Sequence, residues 1–338
     1  MSETTVGHIA VLGCGGWGTA LAVHLSSIGQ TVRLWGRDRA LIERMVTIGT
    51  NEVYLPGVML PPLLCPTADL EAALYNAQYI VVAVPSHGMR ETMNLAASHF
   101  QPQATIISAV KGLEETTLLR MSEVIKDEVG TSRAVAVLSG PSFAVEVARG
   151  SPTAVVVAGD DSEVVRAVQR DFRSGAFRLY GTDDVIGVEI GGALKNVIAI
   201  AAGVVEALGL GHNALAAIIT RGLAEISRLA CASGGRRDTL SGLSGLGDLV
   251  LTCTGALSRN RRVGIELGKG RSLDDVLAEM QTVAEGVRTT HAALQLGRTR
   301  GAELPITAQM SEVLAGHKTP RAASEELMLR PQRSENDQ

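Results

Sequence analysis

The sequence predicts an α/β domain built on a parallel sheet, followed by an all-helical domain. With 338 residues the chain is longer than one hydrophobic core usually supports, so two domains are expected. Short apolar runs alternate with helical segments in the first half, whereas long segments rich in alanine, leucine, isoleucine and glycine follow residue 184 without a convincing strand. We therefore expect domains at residues 1–184 and 185–330, a polar tail at 331–338, and a ligand site between the two domains.

The first three elements form a β-α-β unit. A mostly apolar run at His8–Gly13 is of strand type, Gly16–Ile28 has helical periodicity, and Thr31–Gly36 is a second strand. Four further runs of strand type follow, namely Tyr79–Pro85, Ala104–Val110, Ala134–Gly140 and Thr153–Gly159. Because these runs are apolar on both faces, they predict a parallel sheet that helices cover on both sides.

Composition and charge indicate that the partner is a small molecule. The net charge is −4 and the basic residues are scattered, which argues against a nucleic-acid or anionic-membrane binder. The four cysteines lie far apart without a CxxC pair, so we expect reduced thiols and no metal site. The N-terminus lacks the pattern of a secretory signal, which favours the cytoplasm. The apolar segment 185–208 is interrupted by Glu189 and Lys195, so it predicts a core helix and not a membrane span.

The glycine-rich stretch Gly13–Gly18 predicts a dinucleotide site. It fits G-x-G-x-x-G directly after a strand and at the start of a helix. In that setting Gly13 permits the tight turn, Gly15 lets the backbone approach a pyrophosphate, and Gly18 packs the helix against the strand. The first domain is therefore expected to be of the Rossmann type. Trp17, within the loop, either packs inside the protein or lies beside the cofactor.

Arg37, at the end of the second strand, is the residue expected to distinguish the two dinucleotides. An acidic residue at that place binds the ribose 2′-hydroxyl of NAD, whereas an arginine suits the 2′-phosphate of NADP. The sequence has Arg37 there, with Asp38 next to it. This favours NADP with NAD tolerated, and the alternative is an arginine that is simply solvated.

Further strand ends carry polar residues toward the crevice in which open α/β sheets bind ligands. Lys111 follows one of these strands and precedes a glycine, so it can project an ammonium into that crevice; a solvated surface lysine is the alternative. Gly140 and Ser142 lie in a tight turn before a helix and suit an anion.

Lys195 stands next to Asn196 in an otherwise apolar helical segment. Burial without a partner lowers the pKa of a lysine, and a shift from about 10.4 to about 7.4 corresponds to roughly 4 kcal/mol. Glu189 is six positions away, about 240° round a helix, and cannot be the local partner. Lys195 therefore either reaches a charge on another element or serves as a general acid and base, while Asn196 can orient a polar ligand.

The segment 240–262 adds further polar residues. Asp248 and Thr252 are four positions apart and share one face if this part is helical. Ser258–Asn260 form a compact polar cluster whose guanidinium suits a phosphate. A basic solvated loop is the alternative for this cluster taken alone.

Nine motifs occur along the chain in a recognisable order, namely GCGGWGTAL, AVPSH, VKGLE, SGPSFAVEV, IGGALKNVIAI, ITRGLAE, GLSGLGDLVLTCTGALSRNRR, AEGVRTT and LPIT. In this order and spacing the chain resembles NAD(P)-dependent glycerol-3-phosphate dehydrogenase of bacterial type over nearly its full length. The resemblance implies a Rossmann domain followed by a helical domain similar to that of 6-phosphogluconate dehydrogenase. It also implies interconversion of sn-glycerol 3-phosphate and dihydroxyacetone phosphate with NADP or NAD, a reaction that feeds phospholipid synthesis.

The resemblance also implies roles for single residues. Lys195 is similar to the lysine that accepts the proton of the C2 hydroxyl or donates one to the ketone, and Lys111 to a lysine that touches both cofactor and substrate. The positions similar to substrate contacts are Lys111, Gly140, Ser142, Lys195, Asn196, Asp248, Thr252, Ser258, Arg259 and Asn260, with the phosphate at Arg259 and Asn260. The positions similar to cofactor contacts are Gly13, Gly15, Gly16, Trp17, Gly18, Arg37, Lys111, Ala144, Arg259, Val283 and Glu285. Two positions depart from the family pattern: Gly16 replaces a serine or alanine, and Ala284 replaces a valine.

Two other functions are compatible with this organisation. Another β-hydroxyacid-type dehydrogenase would share both domains and differ in its substrate. A regulator that senses NAD(P)H without chemistry would not need a lysine and an asparagine in a core helix, and the sequence has no helix-turn-helix signal. We expect a homodimer that acts on a small-molecule substrate in the cytoplasm.

Overall fold

The structure, a computed structural model, describes residues 7–280, 283–332 and 334. The chain forms two compact units. The first consists of the residues up to Val110 together with Met121–Val185, and the second of Lys111–Arg120 together with the residues from Ile186 onward. The sequence predicts residues 111–120 in the first domain, whereas their contacts place them in the second unit. Of the expected tail, Arg333 and residues 335–338 lie outside the described residues.

The first unit is built on an eight-stranded sheet. The strands of the unit are β1 (His8–Leu12), β2 (Val32–Trp35), β3 (Thr50–Asn51), β4 (Leu55–Met59), β5 (Leu64–Thr67), β6 (Ala77–Val82), β7 (Thr105–Ser108), β8 (Val135–Ser139), β9 (Thr153–Gly159) and β10 (Phe177–Thr182). The order in the main sheet is β10-β9-β8-β7-β6-β1-β2-β5, and β3 and β4 form a separate antiparallel hairpin. Because β2 lies on one side of β1 and β6 on the other, the carboxyl end of β1 is the switch point at which open sheets of this class bind ligands.

All six predicted strands are present, but the sheet is larger than the sequence predicts. The strands β3, β4, β5 and β10 were not expected. Two of them, β4 and β5, contain a proline, and β10 alternates buried Phe177 and Leu179 with exposed Arg178 and Tyr180, as befits a sheet edge. The pair β8 and β9 is antiparallel, contrary to the expected wholly parallel sheet. Strand direction is not visible in the sequence, because β9 is an apolar run like β6, β7 and β8, which pair in parallel.

Seven α-helices lie in the described part of the first unit, besides two short 3-10 turns at Ser86–Gly88 and Ala97–His99. They are α1 (Gly16–Ser27), α2 (Arg39–Ile48), α3 (Leu70–Leu74), α4 (Met89–Ala96), α5 (Met121–Val129), α6 (Ala144–Ala148) and α7 (Ser162–Phe172). The sequence starts three of them with an aspartate whose side chain accepts a backbone N–H of the first turn, namely Asp38 for α2, Asp69 for α3 and Asp161 for α7.

The second unit is helical. Its helices are α8 (Val185–Ala207), α9 (Gly211–Ala232), α10 (Arg237–Leu240), α11 (Asp248–Thr254), α12 (Arg259–Gly268), α13 (Leu273–Ala278), α14 (Glu285–Arg300), α15 (Pro305–Leu314) and α16 (Pro320–Met328), with a π-helical turn at Leu243–Gly247. No strand follows β10 in the described part of the chain, as the sequence predicts.

The central helix of the second unit is α8. Every residue from Gly187 to Val205 is buried. A Cβ on Gly264 would overlap the carbonyl oxygen of Ile200, and one on Gly203 would overlap that of Arg261, so α8 and α12 touch backbone to backbone. By length and composition α8 could cross a membrane, but 89% of its most apolar 18-residue window is buried inside the protein. The predicted core helix is confirmed.

We expect Gly264→Ala to lower the free energy of unfolding by about 1–3 kcal/mol, because the added methyl group forces α8 and α12 apart. Urea and thermal unfolding measure the change. Gly175→Ala is the matched control, since nothing lies within 4 Å of a Cβ at that position. Equal stability of the Gly264→Ala variant and the wild type would contradict the close contact.

Candidate active site

The predicted site residues fall into two groups, one in each unit. The first unit holds Gly13, Gly15, Gly16, Trp17, Gly18, Arg37, Gly140, Ser142 and Ala144. The second unit holds Lys111, Lys195, Asn196, Asp248, Thr252, Ser258, Arg259, Asn260, Val283 and Glu285.

The glycine loop between β1 and α1 has the geometry that a pyrophosphate requires. Gly13 has φ +113° and a Cβ there would lie 2.8 Å from the carbonyl oxygen of Ala83. A Cβ on Gly18 would overlap the carbonyl oxygen of Gly13, so helix and strand meet only because this residue is glycine. At Gly15 nothing lies within 4 Å of a Cβ, and the first turn of α1 has no side-chain cap. Because no side chain caps the N–H groups of that turn and the space at Gly15 is open, an anion can bind there.

Asn51, which the sequence analysis did not single out, holds this loop in place. Its buried side-chain amide donates to the carbonyl oxygen of Cys14 and to Oγ1 of Thr19, both at 2.8 Å, and its Oδ1 accepts the N–H of Tyr54 at 3.1 Å. The Tyr54 carbonyl oxygen lies 2.8 Å from a Cβ built on Gly16, so the serine or alanine common at Gly16 would require this segment to shift. The β3–β4 hairpin thus fixes the loop, and a two-residue strand gives no periodic signal that could have revealed it.

Trp17 and Arg37 offer groups that a dinucleotide could use. Trp17 packs partly buried against the core of the first unit, and its buried indole N–H has no hydrogen-bond partner among the described residues. Arg37 donates to Glu91 at 3.3 Å, with side-chain exposures of 63% and 66%. A surface pair of that kind is weak, so Arg37 can exchange Glu91 for a phosphate.

The turn after β8 holds two further predicted residues of the first unit, Gly140 and Ser142. Gly140 has φ +135°, and a Cβ there would lie 3.0 Å from Cα of Val155. Ser142 Oγ donates to the Gly140 carbonyl oxygen at 3.0 Å, which closes the turn. Ala144 then begins the five-residue helix α6.

In the second unit, Asp248 joins the two predicted lysines. Lys195 Nζ lies 2.5 Å from Oδ1 of Asp248 and 3.0 Å from Oγ1 of Thr252, and Lys111 Nζ lies 2.7 Å from the other carboxylate oxygen. Thr252 and Asp248 share one face of α11, as their spacing predicts. Lys195 is 7% exposed and Asp248 is 1% exposed. The buried lysine therefore reaches a charge on another helix.

Burial lowers the pKa of Lys195 to about 7, against the attraction of Asp248, which raises it, and together with the repulsion of Lys111, which lowers it further. Near neutral pH the amine is then present in both its neutral and its protonated form. A group with that property can accept and donate a proton without a large energetic cost in either direction.

Asn196, which follows Lys195 in the sequence, forms a second buried polar contact with Asn260. Asn260 donates to Oδ1 of Asn196 at 2.9 Å and accepts the N–H of Gly286 at 3.0 Å, and both asparagines are buried. This contact joins α8, α12 and α14. The resemblance implies that both asparagines touch the substrate, whereas in this structure their amides bind one another.

Two further predicted residues lie at the start of α12. Ser258 caps the helix by accepting the N–H of Arg261 at 3.2 Å. Arg259 follows with exposed surface, although desolvation lowers its pKa and the carboxylate of Glu285 opposes that shift. Glu285 begins α14, and Val283 precedes it by two residues. The second unit therefore presents Arg259 and Glu285 as charged groups in addition to the two lysines.

The described residues contain no group of three His, Cys, Asp or Glu side chains arranged to hold a metal ion. All four cysteines have free thiols.

Both halves of the chain match models of one protein family. Residues 8–165 match the N-terminus of NAD-dependent glycerol-3-phosphate dehydrogenase, and residues 184–325 match its C-terminus. A relative from Acidobacterium capsulatum, named glycerol-3-phosphate dehydrogenase [NAD(P)+], is 54% identical over 97% of this chain and 99% of its own length. A relative of the same name from Koribacter versatilis is 50% identical over 97% of this chain and 98% of its own length.

A solved structure agrees with these matches. The crystal structure of glycerol-3-phosphate dehydrogenase from Coxiella burnetii superimposes with a TM-score of 0.93 at 40% identity, over 96% of this chain and 99% of that one. The similarity covers both units.

We expect Asn51→Ala to weaken dinucleotide binding about tenfold, because the carbonyl oxygen of Cys14 and the hydroxyl of Thr19 lose the donor that holds the glycine loop. Isothermal titration calorimetry with NADPH measures the Kd. The control is Asn94→Ala, which removes an exposed asparagine bonded to Glu128 at 3.1 Å. An unchanged Kd for Asn51→Ala would show that the loop keeps its shape without this side chain.

Proposed function

The chain belongs to the NAD-dependent glycerol-3-phosphate dehydrogenase family, and we propose that it interconverts sn-glycerol 3-phosphate and dihydroxyacetone phosphate with NADP or NAD. The observation that carries the proposal is the buried contact of Lys195 with Asp248, in a chain whose two halves both match this family. In the reductive direction the product is a building block for glycerophospholipids.

The first unit would hold the dinucleotide. Gly13, Gly15, Gly16 and Gly18 form the glycine loop that we assign to the pyrophosphate. Gly15 leaves open space there, and the first turn of α1 has no side-chain cap. Arg37 suits the 2′-phosphate of NADP. Trp17 lies in the glycine loop, and the family resemblance supports its placement beside the cofactor. The further residues that the family resemblance assigns to the cofactor are Lys111, Ala144, Arg259, Val283 and Glu285. When bound, the nicotinamide supplies a hydride to the C2 carbon or takes one from it.

Lys195 moves the proton at the C2 oxygen. In oxidation its neutral amine accepts the hydroxyl proton, and in reduction its ammonium donates a proton to the ketone oxygen. Asp248 and Thr252 hold the nitrogen in one position, so that its remaining hydrogen-bonding capacity is directed at the substrate. The lowered pKa makes both directions of transfer accessible near neutral pH.

Lys111 and the start of α12 supply positive charge for the substrate. Lys111 shares Asp248 with Lys195, so its ammonium is held where it can stabilise negative charge that develops on the C2 oxygen. Arg259 and Asn260 are the residues we assign to the phosphate, since a guanidinium binds two phosphate oxygens at once. The other residues assigned to the substrate are Gly140, Ser142, Asn196, Asp248, Thr252 and Ser258.

One spectrophotometric assay tests the proposed function. NADPH and NADH oxidation is followed with dihydroxyacetone phosphate and, separately, with a panel of oxo-acids. We expect oxidation of the dinucleotide with dihydroxyacetone phosphate and none with the oxo-acids. Turnover that is faster with an oxo-acid would indicate another β-hydroxyacid-type dehydrogenase, and tight NADPH binding without turnover would indicate a sensor.

We further propose a homodimer located in the cytoplasm. The family resemblance supports the dimer, and the four free thiols fit a reducing compartment. Light scattering at several protein concentrations gives the mass that tests the dimer.

The pH dependence of turnover is expected to follow Lys195. Oxidation of sn-glycerol 3-phosphate needs the neutral amine, so kcat/KM rises with pH and levels off above about 7, whereas reduction needs the ammonium and kcat/KM falls above about 7. Initial rates between pH 6 and 9 measure both limbs. Lys195→Ala is the control, with turnover lowered at least about 10³-fold and NADPH affinity retained. Turnover close to that of the wild type in Lys195→Ala, or a profile with no change near pH 7, would remove Lys195 from proton transfer.

Arg37 is expected to select NADP. Arg37→Ala should raise the Kd for NADPH about tenfold or more and leave the Kd for NADH within about twofold, because only NADPH carries the 2′-phosphate. Fluorescence titration with both dinucleotides gives the two constants. Arg44→Ala, which removes an exposed arginine of α2, is the control. An equal loss of affinity for both dinucleotides would contradict the assignment.

A further inference from the structure

Residues 111–120 form a short segment that leaves the first unit and packs in the second. The proposed chemistry does not explain why the chain takes this path. The strand β7 before them and the helix α5 after them belong to the first unit, yet the segment itself packs in the second. Leu113, 2% exposed, is part of the hydrophobic core of the helical unit. Lys111, at the start of the segment, is the residue that contacts Asp248.

The far end of the segment is tied to α8 by a buried ion pair. Arg120 Nη1 lies 2.5 Å from Oε2 of Glu189, with side-chain exposures of 14% and 2%. Glu189 is the carboxylate that cannot reach Lys195 along α8, and the structure gives it a partner outside the helix. One helix thus carries Lys195 on its own backbone and anchors, through Glu189, the segment that carries Lys111.

The segment is closed on itself, so that its two ends cannot move independently. Leu113 and Arg120 pair as an isolated antiparallel bridge. Within the loop, Glu114 N–H donates to the Leu119 carbonyl oxygen and Leu118 N–H to that of Glu114, both at 2.9 Å. Leu118 adopts φ +63°, a tight-turn conformation that is uncommon for a leucine. A displacement of Arg120 is therefore transmitted to Leu113, two residues from Lys111.

We propose that the Arg120–Glu189 ion pair is a positioning device that holds Lys111 against Asp248, and so sets the distance between the two lysines of the proposed active site. This inference rests on the proposed function, because it assigns the pair a role in that chemistry. Neither Arg120 nor Glu189 touches the reacting atoms; both act through Lys111.

Its burial distinguishes the Arg120–Glu189 pair from a surface ion pair of the same segment. Glu115 and Arg288 lie 3.0 Å apart with side-chain exposures of 42% and 48%, so water and salt screen their attraction. Glu189 is almost wholly removed from water, so solvent cannot replace the positive charge that Arg120 supplies. A buried ion pair contributes little net stability compared with apolar residues of similar size, and its value lies in fixing a geometry.

The first test is Glu189→Gln, assayed in the reduction of dihydroxyacetone phosphate. We expect kcat to fall about tenfold or more while the Kd for NADPH and the amount of folded protein stay near those of the wild type. Because Lys111 lowers the pKa of Lys195, a loosened Lys111 also moves the fall of kcat/KM to higher pH. Glu189→Asp, which keeps the charge, should restore part of the rate. Arg288→Gln is the matched control, with a change in kcat below about twofold.

A double-mutant cycle with Lys111→Ala decides whether the pair acts through Lys111. In the Lys111→Ala background, Glu189→Gln should change kcat/KM less than about twofold, since the residue it positions is gone. Losses that multiply across the two substitutions, or a pH profile of Glu189→Gln that coincides with that of the wild type, would overturn the proposal. Wild-type turnover in Lys111→Ala alone would instead contradict the role of Lys111 in the proposed function.

A second variant keeps the test decisive if Glu189→Gln does not fold. The double variant Arg120→Gln with Glu189→Gln removes both charges of the pair together, and two amides can still hydrogen-bond to each other. We expect the same loss of kcat and the same shift of the pH profile. Wild-type kcat and an unmoved profile in this folded double variant would show that the ion pair does not position Lys111.

Discussion

The attraction of one buried carboxylate for two lysines is the interaction on which the active site of the second unit depends. With both lysines protonated, the group of Lys111, Asp248 and Lys195 carries one net positive charge, and loss of the Lys195 proton makes it neutral. Burial favours the neutral group, which is why desolvation is the largest influence on the pKa of Lys195. The same carboxylate keeps the two ammonium groups close together against their mutual repulsion, so proton transfer and charge stabilisation are available at one place.

The backbone around this group is built for rigidity rather than for adaptation. The helix α8 is covered closely enough that Gly203 and Gly264 meet carbonyl oxygens of the facing helix, and a Cβ on Gly286 would lie 2.6 Å from the carbonyl oxygen of Asn196. A side chain on a helix packed in this way has few alternative positions. The first unit achieves the same end differently, since Asn51 of a short hairpin donates one hydrogen bond to the glycine loop at Cys14 and one to Thr19 of α1.

Much of this arrangement could be predicted from the sequence, and the rest could not for identifiable reasons. Apolar runs and helical periodicity revealed six of the strands and the helical second half, and the local glycine pattern placed the dinucleotide loop. The charge in the core helix singled out Lys195, but its partner Asp248 lies 53 positions away, and periodicity carries no information on such a pairing. The roles of Asn51 and Glu189 could not be predicted for the same reason, because the sequence shows a polar residue without showing the group that it contacts. The composition of β9 does not indicate that it runs antiparallel to β8.

The path of residues 111–120 also limits which fragments and chimeras of this protein can fold and function. The chain passes from one unit to the other at three places, after Val110, after Arg120 and after Val185, so neither unit is a continuous piece of sequence. A fragment that begins at Ile186 would lack Leu113 from its core and Lys111, one of the two lysines that contact Asp248. A chimera with a relative, joined at a single point near residue 185, would combine the helices of one parent with the inserted loop of the other. Evolution can therefore exchange the two halves only if the loop and the helices that receive it change together.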